Sequence, residues 1–366
     1  MEFTVSRETL LPALGKVIGV VERRQTMPIL SNLHLVANDD RVMLTATDLE
    51  VEVKTSFPVE LKQSGEVTIP AKKLVDICRS LGEGTEIHFQ MSDERCTVKA
   101  ERSRFTLGLL PASEFPLMDT VQDGFQLSIT ESVFKRLLDK TAFAMAQQDV
   151  RYYLNGLLLE FRESTLTAVA TDGHRLAKFQ SSVDVGISEL RQIIVPSKTI
   201  SELRRQLNYS DDVITMSLGE KSIHIVMGNL TMTSKLVDGR YPEYERVIPH
   251  TLSRQASLKK DELKRALSRT AILSNEKYRG VRLTFDQGML RLLAQNPSQE
   301  EAEEEIELDY QDDSISIGFN VSYLTDVLGV IDGKEVYIQF QDANSSSVWH
   351  GKDADDESYV VMPMRI

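Results

Sequence analysis

The sequence predicts an α+β fold made of three tandem copies of one unit, each with two helices packed on antiparallel sheets, joined so that a ring can close. Three observations carry this reading: self-similarity at a spacing of 124–126 residues, the same order of elements in each copy, and basic charge gathered in the helical segments. Repeats of this kind have to be found first, because missing them misreads the whole fold.

The spacing shows in several places. Leu30-Ser31-Asn32 lies 124 positions before Leu154-Asn155-Gly156, and Gly156 lies 124 before Gly280. The same offset carries Thr45-Ala46-Thr47-Asp48 onto Val169-Ala170-Thr171-Asp172 and then onto Leu293-Ala294-Gln295-Asn296. At an offset of 126, Ile69-Pro70-Ala71-Lys72 recurs as Val195-Pro196-Ser197-Lys198, and Phe115-Pro116 as Tyr241-Pro242. Each copy opens with a short strand and then a helix whose apolar residues return at three and four positions, as Phe134, Leu137, Leu138 and Thr141 do. This pattern predicts helices over Thr9–Val21, Glu131–Met145 and Asp261–Leu273. Pro12 and Gly15 interrupt the first, and Pro12 fits only if it sits near the first turn. Strands with period-two alternation follow, such as Leu157-Leu158-Leu159-Glu160-Phe161, and then a second helix, over Ala71–Leu81, Pro196–Leu207 and Asn320–Ile331. The boundaries fall near Asp123 and Thr251, giving domains 1–123, 124–250 and 251–366.

Composition sets limits on function. The chain has 366 residues, 41% hydrophobic and 27% charged, which suits a soluble protein with several cores at roughly 100–200 residues each. No stretch approaches the roughly 20 apolar residues of a membrane span, and Phe3 to Glu8 alternates like a strand rather than a signal peptide. A cytoplasmic protein is expected. Cys78 and Cys96 have no metal-ligand spacing and fit a reducing compartment, where either could simply be core.

A unit with few helices and many strands exposes sheet edges that invite pairing. Joining units edge to edge removes them, and a head-to-tail joint either closes into a ring or runs on as a filament. If the helices form an inner layer, charge should segregate. Residues 9–24, 71–81, 131–145, 196–207, 259–272 and 320–331 together carry +9, which leaves −22 elsewhere in a chain of net −13. A basic helical layer inside an acidic shell is the footprint of a nucleic-acid site confined to one surface. Helices also favour Lys and Arg for their own sake, so the count alone does not decide.

The most enzyme-like string is Thr171-Asp172-Gly173-His174-Arg175, but general acid–base work needs a partner nucleophile or metal, and none accompanies it. It reads as a turn after a strand, with Gly173 at positive φ and His174 structural. No Walker-type or dinucleotide-binding loop occurs. The acidic run Glu300 to Glu305 lacks the alternating ligands and turn glycine of a cation loop and reads as a solvated edge. Neither a catalytic site, a metal site nor a cofactor is expected.

Four strings carry a specific resemblance: Gln147 to Gly156 (QQDVRYYLNG), Ala170 to Leu176 (ATDGHRL), Ser234 to Pro242 (SKLVDGRYP) and Tyr359 to Arg365 (YVVMPMR). With them the chain resembles the beta subunit of bacterial DNA polymerase III, the bacterial sliding clamp family, over its whole length. The resemblance implies three DNA-clamp domains per chain and a head-to-tail homodimer closing a six-domain ring around duplex DNA. It implies tethering of the replicative polymerase's catalytic subunit, ring opening by an ATP-driven clamp loader, and recruitment of other replication and repair proteins, with no membrane partner. It places Arg24, Lys72, Gln148, Tyr152, Tyr153 and Lys198 at the duplex, with Ser197 where the family often has a second basic residue. Tyr152 and Tyr153 could instead be core strand residues. It sets Glu300, Glu301, Glu303 and Glu304 against Lys73, Arg102 and Arg104 of a second copy, with Phe105, Leu107, Ile272 and Leu273 as the apolar centre of that contact. Core packing is the competing role for those four. It assigns a pocket for partner peptides to Leu154, Thr171, Gly173, His174, Arg175, Leu176, Pro242, Arg246 and Val247, with Asn320, Tyr323, Ser346, Val360, Val361, Met362, Pro363, Met364 and Arg365. There Leu, Val, Pro and Met would make a desolvated cup, while Arg175 and Arg246 grip peptide carbonyls or a carboxylate.

The rival readings are a nucleic-acid enzyme, for which no metal-binding carboxylate set can be assembled, and a repeat-built protein–protein adaptor without DNA encirclement.

Overall fold

The computed structural model describes residues 1–22, 27–92, 94–119, 124–187 and 189–365. Six α-helices fall where the periodicity puts them: α1 (Arg7–Val17), α2 (Ala71–Ser80), α3 (Glu131–Thr141), α4 (Ser197–Gln206), α5 (Lys260–Thr270) and α6 (Val321–Val330). The ends differ from expectation in ways local chemistry explains. The Ser6 side chain accepts the Thr9 N–H at 3.2 Å, so α1 starts at Arg7, two residues early. Pro12 therefore lies in the second turn rather than the first, and the helix forgoes the bond to the Glu8 carbonyl that an ordinary N–H would make. The predicted tails of α3 and α5 are one-turn 3₁₀ segments, Ala142–Ala144 and Ala271–Leu273.

Among the described residues the strands form four antiparallel sheets, two in each of two compact units. The first unit, Met1–Ser132 with Arg205–Leu236, holds a five-stranded sheet and an eight-stranded one. In the latter, strand Val51–Pro58 of the first repeat pairs with strand Leu230–Lys235 of the second, Val53 opposite Met232. The second unit, Val133–Arg204 with Val237–Ile366, makes the same joint one repeat later. There strand Arg175–Ser182 pairs with Glu357–Val361, Leu176 opposite Val360. Sheets thus run on from one repeat into the next, which is the edge-to-edge joining the repeat predicts. The repeats keep their spacing: strands Asn32–Asn38, Gly156–Arg162 and Gly280–Asp286 start 124 residues apart.

Helix ends are tied at these joints as well. In the first unit Arg205 Nη1 donates to the Gly15 carbonyl and Gln206 Nε2 to that of Lys16, both at 2.7 Å, at the end of α1. In the second, Lys140 of α3 donates to the Val330 carbonyl at the end of α6 and pairs with Glu357 and Asp332 at 2.9 Å. Cations and amide donors placed on the last carbonyls of a helix satisfy orphan acceptors and complement its dipole.

In the eight-stranded sheet of the first unit, Val42, Leu44, Val51 and Val53 are buried on strands that contact α1, and Leu33 and Leu35 on a strand that contacts α2. The alternation expected of Leu157 to Phe161 is absent, since all five residues are buried. Leu157, Leu159 and Phe161 lie on one face of the strand. On the other, Leu158 packs with Tyr241 and Tyr244, while Glu160 takes Arg162 and Gln192 donors at 2.7 Å. A strand covered on both faces loses the period-two signal. Cys78 and Cys96 are free and buried. Among the described residues no helix is long and apolar enough to cross a membrane.

Candidate docking pocket and nucleic-acid surface

The turn Thr171–Arg175 is built by its own side chains. Asp172 Oδ1 accepts the N–H groups of His174 (2.9 Å) and Arg175 (3.1 Å), and the Thr171 hydroxyl donates to the Arg175 carbonyl at 2.6 Å. Gly173 takes φ +90°, as the sequence predicts, and a Cβ there would meet the Arg151 guanidinium at 3.0 Å. His174 is exposed and stacks on Tyr323, ring centroids 6.4 Å apart. Among the described residues no cluster of His, Cys, Asp and Glu could hold a metal.

Arg175 is engaged within the chain. Its guanidinium donates to Asp172 (3.1 Å), Asp326 (2.6 Å) and the Phe143 carbonyl (2.7 Å) and lies 4.5 Å over the Tyr323 ring. With three of its five N–H donors it stitches the turn to α6. Arg246 is the available cation, 81% exposed and paired with Glu243 at 2.6 Å.

Beneath the turn lies an apolar cluster. Leu154, Leu176 and Val360 are at most 2% exposed and pack with Leu158, Val169, Ile194, Val348, Tyr241 and Tyr244. Val360 and Val361 do not point outward, as their place in the final strand suggested, but are fully buried. Val360 belongs to the floor of the cluster, with the half-buried Val237, Val247, Ile248 and Leu252 packed around it, while Val361 faces the other side of the strand. Pro242 is exposed at the rim, and Met362, Pro363 and Met364 are half-buried. The tail is held by Met362 N–H on the His174 carbonyl (3.0 Å) and Met364 N–H on that of Gly318 (2.8 Å), with Arg365 exposed. Asn320 caps α6, its side chain accepting the Ser322 N–H at 2.9 Å, and Ser346 is half-buried in the turn before strand Ser347–His350. Beside the turn, a cleft of about 300 Å³ is lined by Phe143, Met145, Asp172, His174 and Tyr323. Sequence reasoning missed Tyr241, Tyr244, Val237, Ile248 and Leu252, although the recurrence of Phe115-Pro116 as Tyr241-Pro242 marked the wall they build.

The nucleic-acid candidates of the second unit come together after α3. Asn155 clasps Asp149 twice at 2.9 Å, and Arg151 grips the Asp149 carboxylate at 2.8–2.9 Å. Hydrogen bonds from Arg151 hold that carboxyl down to about 2. The clasp fixes a loop that presents Gln148, exposed at φ +55°, and Tyr152, 58% exposed, with the Tyr153 ring edge-on at 5.8 Å and half-buried. The tyrosines lie on a 3₁₀ turn, Tyr152–Leu154, and not in a strand. The Ser197 N–H donates to the Asn155 carbonyl at 3.0 Å, which brings half-buried Lys198 next to this loop. Lys72 and Lys73 are exposed on α2 in the first unit, and Arg24 lies outside the described residues.

Two of the edge strands correspond to the strands that join one repeat to the next. Among the described residues, strand Ser103–Gly108 pairs on one side only, with Arg95–Ala100, and strand Glu301–Glu307 only with Met289–Gln295. Arg102 and Arg104 are exposed, Phe105 is half-buried, and Leu107 is 7% exposed, within its own core. Ile272 is 76% exposed and Leu273 half-buried. Of the acids, Glu304 is already held by Arg269 at 2.7 Å and Glu303 by Arg291 at 3.2 Å, whereas Glu301 has an exposed place on the edge and Glu300 bonds Asn296 at 2.6 Å.

Models of the N-terminal, central and C-terminal domains of the DNA polymerase III beta subunit match residues 1–119, 128–243 and 245–365. The chain is 50% identical to the beta sliding clamp of Pseudomonas aeruginosa and 44% identical to that of Escherichia coli K12, with all of each chain covered. A solved structure of the P. aeruginosa clamp bound to griselimycin superposes with a TM-score of 0.96 at 50% identity, again covering both chains completely.

Proposed function

Because the chain belongs to the DNA polymerase III beta subunit family and acts as a DNA sliding clamp and processivity factor, we propose that two copies join head to tail around duplex DNA. The ring then has six domains, 1–123, 124–250 and 251–366 of each copy. The observation that carries this is the pair of leftover edges. Strand Ser103–Gly108 stands where Leu230–Lys235 and Glu357–Val361 stand in the later repeats, and Glu301–Glu307 where Val51–Pro58 and Arg175–Ser182 stand. Each internal joint pairs one edge of each kind, so the third joint needs a second copy. One edge brings Arg102 and Arg104 and the other Glu301, so their charges complement each other, with Lys73 of α2 and Glu300 at the margins. Phe105, Ile272 and Leu273 supply the apolar centre, and Leu107 supports it from beneath.

Within the ring, Gln148, Tyr152, Tyr153, Lys72 and Lys198 meet the sugar-phosphate backbone without reading sequence. The chain supplies no chemistry of its own. Partners, among them the replicative polymerase's catalytic subunit, the ATP-driven loader and other replication and repair proteins, insert an apolar peptide over the Leu154, Leu176 and Val360 floor. The tail Met362–Arg365 forms one wall, where methionines adapt to varied side chains. The test is deletion of residues 362–366: polymerase and loader binding should be lost while the dimer persists. Normal processive synthesis by the truncated protein would contradict the pocket.

A further inference from the structure

The strand ladder under the docking floor recurs in the first unit with the same register and the opposite chemistry. In the second unit Ile194, Leu158 and Val169 lie side by side on three strands, and Leu176, Val360 and Val348 on the next three. In the first unit the corresponding ladder reads Thr68, His34 and Thr45, then Glu52, Thr233 and His224. Six apolar side chains are replaced by six polar ones. Five of the six are nonetheless buried, Glu52 to 1% and His34 to 3% exposure.

What covers them is the chain leaving the first repeat, residues 109–119. It is bound by those same polar groups. The Thr68 hydroxyl donates to the Leu110 carbonyl at 2.9 Å, the Phe115 ring stacks on His34 at 5.1 Å, and Glu52 Oε2 accepts the Met118 N–H at 3.0 Å. Glu52 Oε1 holds Lys54 at 2.7 Å, and His34 Nε2 lies 2.6 Å from Glu66. In the second unit Tyr241 and Tyr244 cover an apolar ladder whose Leu158, Leu176 and Ile194 side chains can offer no polar anchor, only the Ile194 carbonyl accepting the Val237 N–H at 2.9 Å. An apolar peptide entering the first unit would have to displace Phe115 and Met118, taking the N–H donor from Glu52 Oε2, the acceptor from the Thr68 hydroxyl and the ring from His34, although Lys54, Asn32 and Glu66 still hold the three side chains. Each buried bond lost in this way weakens affinity about tenfold or more.

We propose that the first unit carries a closed copy of the docking site and that Glu52, His34 and Thr68 close it, so that each chain accepts one apolar peptide and not two. This rests on the docking reading of the second unit. It assigns these three residues a part in specificity, since they fix where on the chain, and how many times, a partner engages.

The probe is an acetylated hexapeptide with two leucines and a terminal phenylalanine, titrated into the full-length dimer and counted by native mass spectrometry and calorimetry. The natural chain should take one peptide per protomer. The variant His34→Leu/Glu52→Leu/Thr68→Ile should take two, the second at least tenfold more weakly than the first. Two peptides on the natural chain, or one on the folded triple variant, overturns the proposal. A natural chain that binds no peptide, or whose binding survives Leu176→Asp, strikes the docking reading and this inference with it. Should the triple variant not fold, amide exchange at Met118 decides: it should rise at least tenfold in Glu52→Ala and return toward the natural rate in Glu52→Gln, which keeps an acceptor. Unchanged exchange in Glu52→Ala overturns the latch.

Discussion

Arg175 holds its guanidinium 4.5 Å above the ring of Tyr323, so a residue of the second repeat is seated on a helix of the third. Three charge-assisted hydrogen bonds, to Asp172, Asp326 and the Phe143 carbonyl, accompany the stacking, with the side chain only 11% exposed. Arg175→Ala should therefore cost about 2–4 kcal/mol in the second unit. Trp349, the chain's one tryptophan, is fully buried in that unit, so its fluorescence on denaturant unfolding reports the loss. Peptide binding should weaken too, because the turn that Arg175 ties to α6 carries Leu176 of the floor. Arg175→Lys should recover little, because an ammonium cannot make the planar fork and the stack together.

Gly173 is constrained twice, by φ +90° and by the Arg151 guanidinium 3.0 Å from where a Cβ would sit. Gly173→Ala should cost about 1–3 kcal/mol through backbone strain and a displaced Arg151. The shift of Arg151 should loosen its grip on Asp149 and with it the loop bearing Gln148 and Tyr152. Backbone exchange rates at residues 148–152 should rise, and unchanged rates would show that the clasp does not depend on this glycine.

Burial pushes both Cys78 and Cys96 up to about 12, so neither should react with an aromatic disulfide reagent at pH 8 in the native protein. Unfolded thiols titrate near 8.5. Since the folded values lie above the unfolded one, this contribution to stability is complete below about pH 8.5 and falls as pH rises toward the folded values. Denaturant midpoints measured from pH 7 to pH 10 should decline, and Cys78→Ala/Cys96→Ala should flatten part of that decline.

Ile272 is 76% exposed in the single chain, so its truncation costs the fold little. Ile272→Ala with Leu273→Ala should give a folded monomer in sedimentation at micromolar concentration. A dimer that survives would place the contact elsewhere, and an unfolded chain would make Leu273 a core residue.

The sequence showed the repeat, the helices and the joints because each rests on local patterns: apolar spacing in α3, the 124-residue recurrence of the strand starts, and Gly173 in its turn. It misread what depends on neighbours distant in the chain. Leu157 to Phe161 lacks alternation because Tyr241 and Tyr244 cover the strand's second face, and those residues lie some eighty positions away. Val360 is floor rather than surface because Tyr241 and Tyr244 of the second repeat belong to the cluster packed on that face of the final strand. The bond of Arg175 to Asp326 and its place over Tyr323 were not legible, because both partners lie in another repeat. Pro12 falls in the second turn because the cap is Ser6, a residue the apolar pattern does not mark.

The most direct test is topological. The dimer is loaded onto a nicked circular duplex, filtered to remove free protein at high salt, and the circle is then cut once. The account predicts that the protein stays on the closed circle, despite the weak and salt-sensitive direct contact expected of so few phosphate-binding side chains, and leaves within minutes of linearisation. Equal retention on circle and line, or equal loss from both, would contradict encirclement and favour a protein–protein adaptor.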